Sequence, residues 1–258
     1  MRIHAVRCQW RSSWAANWIL GRFACLGRDV LALTGTRLPV VNVQKGRVDQ
    51  LLAWWGNPAL RPRTREVAPH MRTNLPLIVQ EENVGWWRPA HPPAFVFMDS
   101  FAELTDQIFF RRGQGWRFCC GYSDLNPTRS FNEQFSCAGL LAEDTFYAAY
   151  QRFFSVLRSR FGRVPVIFLH FPKALEGREA FRRRADRIRE AVEALAPQFE
   201  PFCSLAVDEA MVDWPEDSTA EDRQGLPYHY NQRTYRAFAR LVRERGLFPS
   251  SISEHASA

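Results

Sequence analysis

The sequence predicts an α/β protein with a three-layer α/β/α architecture, in which helices cover both faces of a central parallel sheet. Strand-like apolar runs alternate with helical patterns along the chain, and this alternation is typical of parallel sheets. The apolar runs AFVFM (94–98), VPVIFLHFP (164–172) and FCSLAV (202–207) contain few polar residues, as strands buried on both faces do. Ligands bind beyond the carboxyl ends of such strands, so candidate functional residues are expected directly after them.

The first 56 residues are predicted to form two strand–helix pairs. RIHAV (2–6) is the expected first strand, and SSWAANWILGRFACLG (12–27) is an expected helix with Ser12 or Ser13 as its N-cap. LPVVNV (38–43) is predicted as a strand. RVDQLLAWW (47–55) is predicted as a helix, since Gly-Asn-Pro follows it.

Residues 57–93 differ from the rest of the chain because they contain seven prolines and little periodicity. This composition predicts a long irregular insertion, which is a candidate lid or substrate-facing segment.

The C-terminal half has the clearest helices. Apolar residues recur at spacings of three and four in AEDTFYAAYQRFFSVLRSRFG (142–162) and REAFRRRADRIREAVEAL (178–195). The same spacing relates Tyr235, Phe238 and Val242 in a last helix that is expected to end near Gly246, and Asn231 is its expected N-cap. His170 lies inside the strand VPVIFLHFP, where a hydrogen-bonded core histidine is the expected role.

Composition favours one globular domain over residues 1–258, with 46% hydrophobic and 24% charged residues. No run reaches the roughly 18 apolar residues of a membrane span, and the N-terminus lacks the apolar region of a signal peptide. We therefore expect a cytoplasmic protein with no membrane span. The net charge of +7 comes from scattered arginines, so the sequence does not predict a nucleic-acid partner. The oligomeric state is left open.

The six cysteines show no paired metal-ligand spacing, so no metal site is predicted. They are expected to be free thiols, most of them buried.

The stretch YHYNQRTYRAFARLV (228–242), with the helices and strands that precede it, resembles the SGNH (GDSL-like) hydrolase and acyltransferase superfamily. In that superfamily a catalytic histidine opens the last helix in a pattern similar to His-x-Asn-x-x-Gly-Tyr. His229, Asn231 and Tyr235 match this pattern, and Thr234 replaces the glycine. The resemblance implies a flavodoxin-like topology with His229 as the general base.

The acidic member of the implied triad departs from the family pattern. The family has an aspartate three residues before the histidine, and this chain has Leu226 there. Asp222 is the nearest acidic residue of the preceding loop and is the candidate that would orient His229.

The implied nucleophile follows the first strand, where this chain has Cys8 and Gln9. A branch of SGNH-like proteins tied to surface-polysaccharide modification carries Gly-Asn-Cys-Gln there, and the chain is similar to it through Cys8 and Gln9 alone. A nearby serine such as Ser12 is the alternative, and Gln9 and Ser12 are expected to line the site. Ser100 imitates a GDS motif in FVFMDSFAEL, but it is too close to His229 in sequence for this fold.

Asp99 and Ser100 are instead assigned to the end of the third strand, as binding or orienting groups near the oxyanion position.

The implied function is acyl transfer, as an O-acetyltransferase or esterase acting on a bacterial surface saccharide or its precursor. The expected ligand is a small-molecule or saccharide substrate, with no permanently bound cofactor and acetyl coenzyme A as a candidate acyl donor. The alternative is an inactive SGNH-like module that binds a saccharide or a protein. A Rossmann-type transferase is disfavoured because the chain lacks a glycine-rich phosphate loop.

Overall fold

The computed structural model describes residues 17–83, 91–225 and 227–246. The strands within these ranges are β1 (Ile19–Arg22), β2 (Val40–Asn42), β3 (Phe95–Asp99), β4 (Gln107–Arg111), β5 (Arg117–Cys120), β6 (Phe135–Gly139), β7 (Val166–Leu169) and β8 (Phe202–Leu205). The α-helices are α1 (Cys25–Leu33), α2 (Val48–Gly56), α3 (Thr64–Val67), α4 (Leu75–Asn83), α5 (Phe101–Thr105), α6 (Arg129–Gln134), α7 (Phe146–Phe161), α8 (Glu179–Leu195), α9 (Ala220–Gly225) and α10 (Gln232–Glu244).

The central sheet is parallel throughout and has the strand order β2-β1-β3-β7-β8. Strands β1, β3 and β7 lie in its interior, and every one of their residues is buried. This burial explains why their sequences are apolar runs without alternation. The predicted three-layer α/β/α fold is confirmed.

Helices pack on both faces of this sheet. Helices α1 and α10 contact each other on one side, whereas α7 contacts α2 and α8 on the other. The apolar spacings predicted for α7 and α8 give their buried faces, with Tyr150 and Ile188 fully buried. Helix α7 ends at Gly162, whose φ of +70° is the left-handed conformation that glycine adopts readily.

The predicted helix over residues 12–27 is wrong for the residues that the structure describes. Ile19–Arg22 is a strand between β2 and β3, and the helix begins only at Cys25. The short apolar strand is followed almost directly by the helix, without turn residues between them. The apolar residues of the two elements therefore form one continuous pattern, which predicts a single helix. RIHAV lies outside the described residues.

Residues 57–93 are also more regular than their prolines indicate. Helices α3 and α4 lie in this segment, and prolines occupy the first turns of the 3₁₀ helices Pro58–Leu60 and Ala68–His70. Proline is tolerated at such positions because the first N–H groups of a helix have no partner within it.

A second sheet was not predicted from the sequence. It is antiparallel with the order β5-β4-β6, and its strands have four or five residues each. Val67 and Ile78 of the helical segment pack with Phe109, Phe118 and other residues of this sheet in a separate apolar cluster. The segment 57–83 therefore covers the small sheet.

Two groups of buried charges connect these parts. Arg22, at the end of β1, pairs with Glu103 of α5, and Lys45 lies 3.2 Å from Asp106 and 3.0 Å from Asp124. All five side chains are at most 7% exposed. A buried charge is costly unless it is paired with an opposite charge. Each of these two groups of charges therefore holds together the strands, helices and loops that carry its members.

None of the described helices combines the length and the apolar character that crossing a membrane requires.

Candidate active site

The strand order reverses between β1 and β3, since the chain places β2 on one side of β1 and then crosses to β3 on the other. Parallel α/β sheets bind ligands in the crevice at such a point, beyond the carboxyl ends of the two strands. The residues there are Phe23–Cys25 after β1 and Asp99–Ser100 at the end of β3. We therefore take this edge as the candidate active site.

The turn that carries Cys25 is held closely on both sides. The Asn42 side chain accepts a hydrogen bond from Phe23 N (3.0 Å) and donates one to Phe23 O (2.9 Å). Gly21 and Gly27 leave room for the Phe23 ring, because a Cβ at Gly27 would lie 2.3 Å from Phe23 Cβ. The first turn of α1 is thus fixed against the end of β2.

Replacing Gly27 with alanine is expected to lower the free energy of unfolding by about 1–3 kcal/mol, the usual cost of overpacking a filled site. Phe23 must move to admit the methyl group, and the turn that leads to Cys25 moves with it. Urea denaturation measures the change. Gly56→Ala, at a helical glycine with no atom within 4 Å of the added Cβ, is the matched control and should leave stability unchanged or raise it. Equal effects of the two substitutions would contradict this prediction.

Asp99 and Ser100 are at most 2% exposed, and their hydrogen bonds go to backbone atoms. Asp99 accepts from Ala24 N (2.7 Å), Gly27 N (3.3 Å) and Phe101 N (3.1 Å). Burial raises the pKa of Asp99 to about 7, although these N–H groups favour its charged form. Ser100 Oγ accepts from Phe171 N (3.1 Å). Both residues lie where the sequence predicted, at the end of the third strand, and these contacts orient the loops around the crevice.

The loop before α10 crosses the carboxyl ends of β3 and β7. Tyr228 packs edge-on against Phe101 and Phe171, with ring centroids 5.7 and 5.6 Å away. Its hydroxyl donates to the buried Glu176 (2.8 Å) and accepts from Arg178 (3.0 Å). This loop is therefore fixed by a buried polar contact to the segment between β7 and α8.

His229 is exposed, whereas the tyrosines on either side of it are buried. Tyr230 donates from its hydroxyl to Pro172 O (3.3 Å), and its N–H donates to Tyr235 Oη (3.2 Å). Asn231 caps α10 by accepting from Thr234 N (2.9 Å), as predicted. The backbone around His229 is thus held on both sides while its imidazole faces solvent.

Cys25 lies directly beside this loop. Its thiol donates to Tyr228 O at 3.5 Å, and that oxygen belongs to the peptide bond that leads to His229. Burial raises the pKa of Cys25 to about 12, with Asp99 and Asp29 adding to the effect and the Leu26 N–H and Arg28 opposing it. The resting side chain is therefore a neutral thiol at neutral pH. A base has to remove its proton before the sulfur can attack a carbonyl.

His170 is the hydrogen-bonded core residue that the sequence predicts. Its Nε2 lies 2.7 Å from Ser204 Oγ, and burial lowers the pKa of the imidazole to about 3. It is neutral at physiological pH and carries no charge to the crevice.

The remaining residues predicted for the site are Cys8, Gln9, Ser12 and Asp222. Cys8, Gln9 and Ser12 lie outside the described residues. Asp222 lies in α9, and its side chain is outside the described part of the chain, so its role as orienting acid stays a prediction.

Cys25 is a candidate site residue that the sequence pattern did not indicate. It was assigned to the interior of a helix, although a cysteine that follows an apolar run and opens a helix occupies a strand-to-helix turn. The strand order supplies the information that the local pattern lacked.

A small cleft beyond β7 and β8 is lined by several charged side chains. Lys173 pairs with Asp186, and Arg189 pairs with Glu193 (2.7 Å). Each cation of this cleft already has a carboxylate partner, so a phosphate-bearing cofactor would have to displace one. Among the described residues, no group of histidine, cysteine and acidic side chains has the arrangement of a metal site.

Comparison with known proteins adds no family assignment to this geometry: no family model matches the chain, and no curated protein matches it significantly.

Proposed function

We propose that this chain is an SGNH-like acyl-transfer enzyme, an O-acetyltransferase or esterase that acts on a bacterial surface saccharide or its precursor. Cys25 is its nucleophile and His229 its general base. Cys25 takes the role that the sequence suggested for Cys8, because it follows the described strand at which the sheet order reverses. The proposed setting is cytoplasmic, with acetyl coenzyme A as acyl donor.

The observation that carries the proposal is the contact between Cys25 Sγ and the carbonyl oxygen of Tyr228. It brings a thiol from the first turn of α1 to the backbone of the histidine loop, at the edge where this class of sheet binds ligands. Covalent acyl transfer requires the nucleophile and the base within hydrogen-bond reach of each other. The contact brings the thiol to the backbone that leads to His229, and the exposed imidazole has to turn toward the sulfur before it can take the proton. The hydrogen bonds described above hold the turn of Cys25 and the loop of His229 in place, which restricts where the two side chains can lie.

The reaction divides into two balanced steps. In the first, His229 takes the proton from Cys25 as the sulfur attacks the acyl carbonyl, and a thioester forms. The leaving thiol or alcohol departs with the proton returned by His229. In the second, an acceptor hydroxyl or water attacks the thioester while His229 removes its proton, and Cys25 is released as a thiol.

Brief exposure to acetyl coenzyme A or an activated acetyl ester, followed by intact-protein mass measurement, tests the proposal. We expect one acetyl adduct in the wild type, no adduct in Cys25→Ala, and formation slowed by roughly 10²–10⁴-fold in His229→Ala, the usual contribution of a general base. Cys137→Ala is the matched control, since Cys137 is the exposed thiol among the described cysteines, and it should keep the adduct.

Other patterns would overturn the assignment. Loss of the adduct only in Cys8→Ala would return the nucleophile to the residue that the sequence suggested, and loss only in Ser100→Ala would move it to the third strand.

A second function, binding without catalysis, is favoured by two observations. The raised pKa of Cys25 and the leucine at position 226, where the family has an acid, together describe a site with a weak nucleophile. If no variant or wild type forms an adduct, the inactive SGNH-like module becomes the better explanation.

A further inference from the structure

Helix α10 carries a row of arginines on its exposed side. Arg233, Arg236, Arg240 and Arg243 are all exposed, whereas Tyr235, Phe238 and Val242 of the same helix are buried. Spacings of three, four and three residues keep the four arginines on one face, and they extend along about 15 Å of helix at a rise of about 1.5 Å per residue. We call this row the α10 arginine face.

The charges of this face have no carboxylate partner among the described residues. The hydrogen bonds made there by these arginines are from Arg233 to Met211 Sδ (3.6 Å) and from Arg243 to Leu33 O (3.4 Å), and neither acceptor carries a charge. Four like charges side by side repel one another and are stabilised by an anion that bridges them.

Helix α8 provides the comparison within the same protein. It is also rich in exposed arginines, but three of them pair with glutamates: Arg183 with Glu143 (3.3 Å), Arg187 with Glu190 (2.9 Å) and Arg189 with Glu193 (2.7 Å). Such pairs are the usual state of a solvated charged helix. The arginines of the α10 arginine face therefore lack the glutamate partners that three of the exposed arginines of α8 have.

The face is continuous with the candidate active site. Arg233 lies four residues after His229, in the first turn of α10, and Arg243 reaches the last residue of α1, the helix that begins at Cys25. A chain lying along these arginines would have one end at the carboxyl edge of the sheet, beside His229. The positive row thus runs from the loop of His229 to the last residue of α1.

We propose that the α10 arginine face binds an anionic polysaccharide and guides it to the acyl-transfer site, so that the acceptor substrate is a carboxylate-bearing saccharide polymer. The planar guanidinium group binds carboxylates through two parallel hydrogen bonds, and a row of them suits a regularly charged polymer. Proteins that bind single-stranded nucleic acids combine a basic groove with exposed aromatic rings for stacking, and the aromatic residues of α10, Tyr235 and Phe238, are buried. This inference specifies the substrate class of the proposed function and rests on it for the chemistry, although the binding itself does not require catalysis.

Binding of the full-length protein to polygalacturonate, measured by biolayer interferometry at several salt concentrations, tests this inference. The variant replaces Arg233, Arg236, Arg240 and Arg243 with glutamine, and affinity should fall by roughly tenfold or more, as expected for four exposed charge contacts. The matched control replaces Arg182, Arg183, Arg187 and Arg189 of α8, which removes the same charge from another exposed helix. Its affinity should fall less than about threefold.

Equal losses in both variants would overturn the inference, because the binding would then follow net charge. Tighter binding of single-stranded or duplex DNA than of polygalacturonate would overturn the choice of a saccharide. Circular dichroism of both variants verifies that the fold is kept. Binding is also measured on Cys25→Ser, which tests the polymer surface without the proposed nucleophile. A missing acetyl adduct would then reject the proposed chemistry, whereas the binding data alone decide whether the α10 arginine face binds the polymer.

Discussion

Replacing Glu103 with alanine is expected to lower the free energy of unfolding by about 3–5 kcal/mol, the range for removing one partner of a buried ion pair. Glu103 is fully buried and accepts hydrogen bonds from Arg22, from Val48 N (2.9 Å) and from Tyr150 Oη (2.8 Å). Its removal leaves the Arg22 guanidinium without its anionic partner, only 3% exposed at the end of β1. Two further donors lose their acceptor at the same time.

Urea denaturation, with the slope and midpoint fitted separately, measures this change. Glu133→Ala is the matched control, because Glu133 pairs with Arg129 on the surface with both side chains more than 60% exposed. Surface pairs contribute about 0–1 kcal/mol, so the control should change little. A loss below about 1 kcal/mol for Glu103→Ala would mean that water or a rearranged side chain replaces the carboxylate.

Replacing Lys45 with methionine is expected to cost a similar amount, about 3–5 kcal/mol at pH 8, because two buried carboxylates lose the cation between them. Burial alone would lower the pKa of Lys45, but Asp106 and Asp124 raise it, so the ammonium group stays charged. The chain offers a direct control, since its second lysine, Lys173, pairs with Asp186 in a contact where both side chains are more than a third exposed. Lys173→Met should change stability far less.

The cost of Lys45→Met should depend on pH. Burial raises the pKa of Asp106 to about 6 even beside Lys45, whereas the pKa of an aspartate in the unfolded chain is about 3.9. The folded state therefore binds the extra proton between these values, and stability falls as the pH rises through this window. Without the lysine the folded pKa rises further, so the deficit of the variant should be largest above pH 6 and smallest near pH 4. A deficit that is constant from pH 4 to pH 8 would contradict this assignment.

The elements that the sequence predicted well are those whose local pattern also describes their final environment. Helix α8 has one apolar face because one side of it lies on the sheet, and β7 is continuously apolar because both of its sides are covered. Asn231 was identified as a helix cap because the capping hydrogen bond spans only three residues. In each case the determining contacts are local or follow directly from periodicity.

The antiparallel sheet escaped prediction for the opposite reason. Strands β4 and β5 are short, and β4 is buried at its centre, so neither shows the polar–apolar alternation by which half-exposed strands are identified. Gly113 and Gly115, both at positive φ, mark the turn between them, yet pairing of β4 with β6 depends on residues more than twenty positions apart. The order within residues 57–83 likewise comes from packing on this sheet.

The sequence by itself determined the layered fold and the position of the last helix, and it identified His229 as a candidate site residue. Only the tertiary structure places the Cys25 thiol beside the loop of His229, because Cys25 and Tyr228 are separated by 203 positions in the chain. It also buried the charges of Arg22 and Lys45 beside their partners. The helical spacing already places the arginines of α10 on one face, but only the tertiary structure leaves them without a carboxylate partner among the described residues. These properties depend on burial and on contacts between distant segments, which periodicity along the chain does not record.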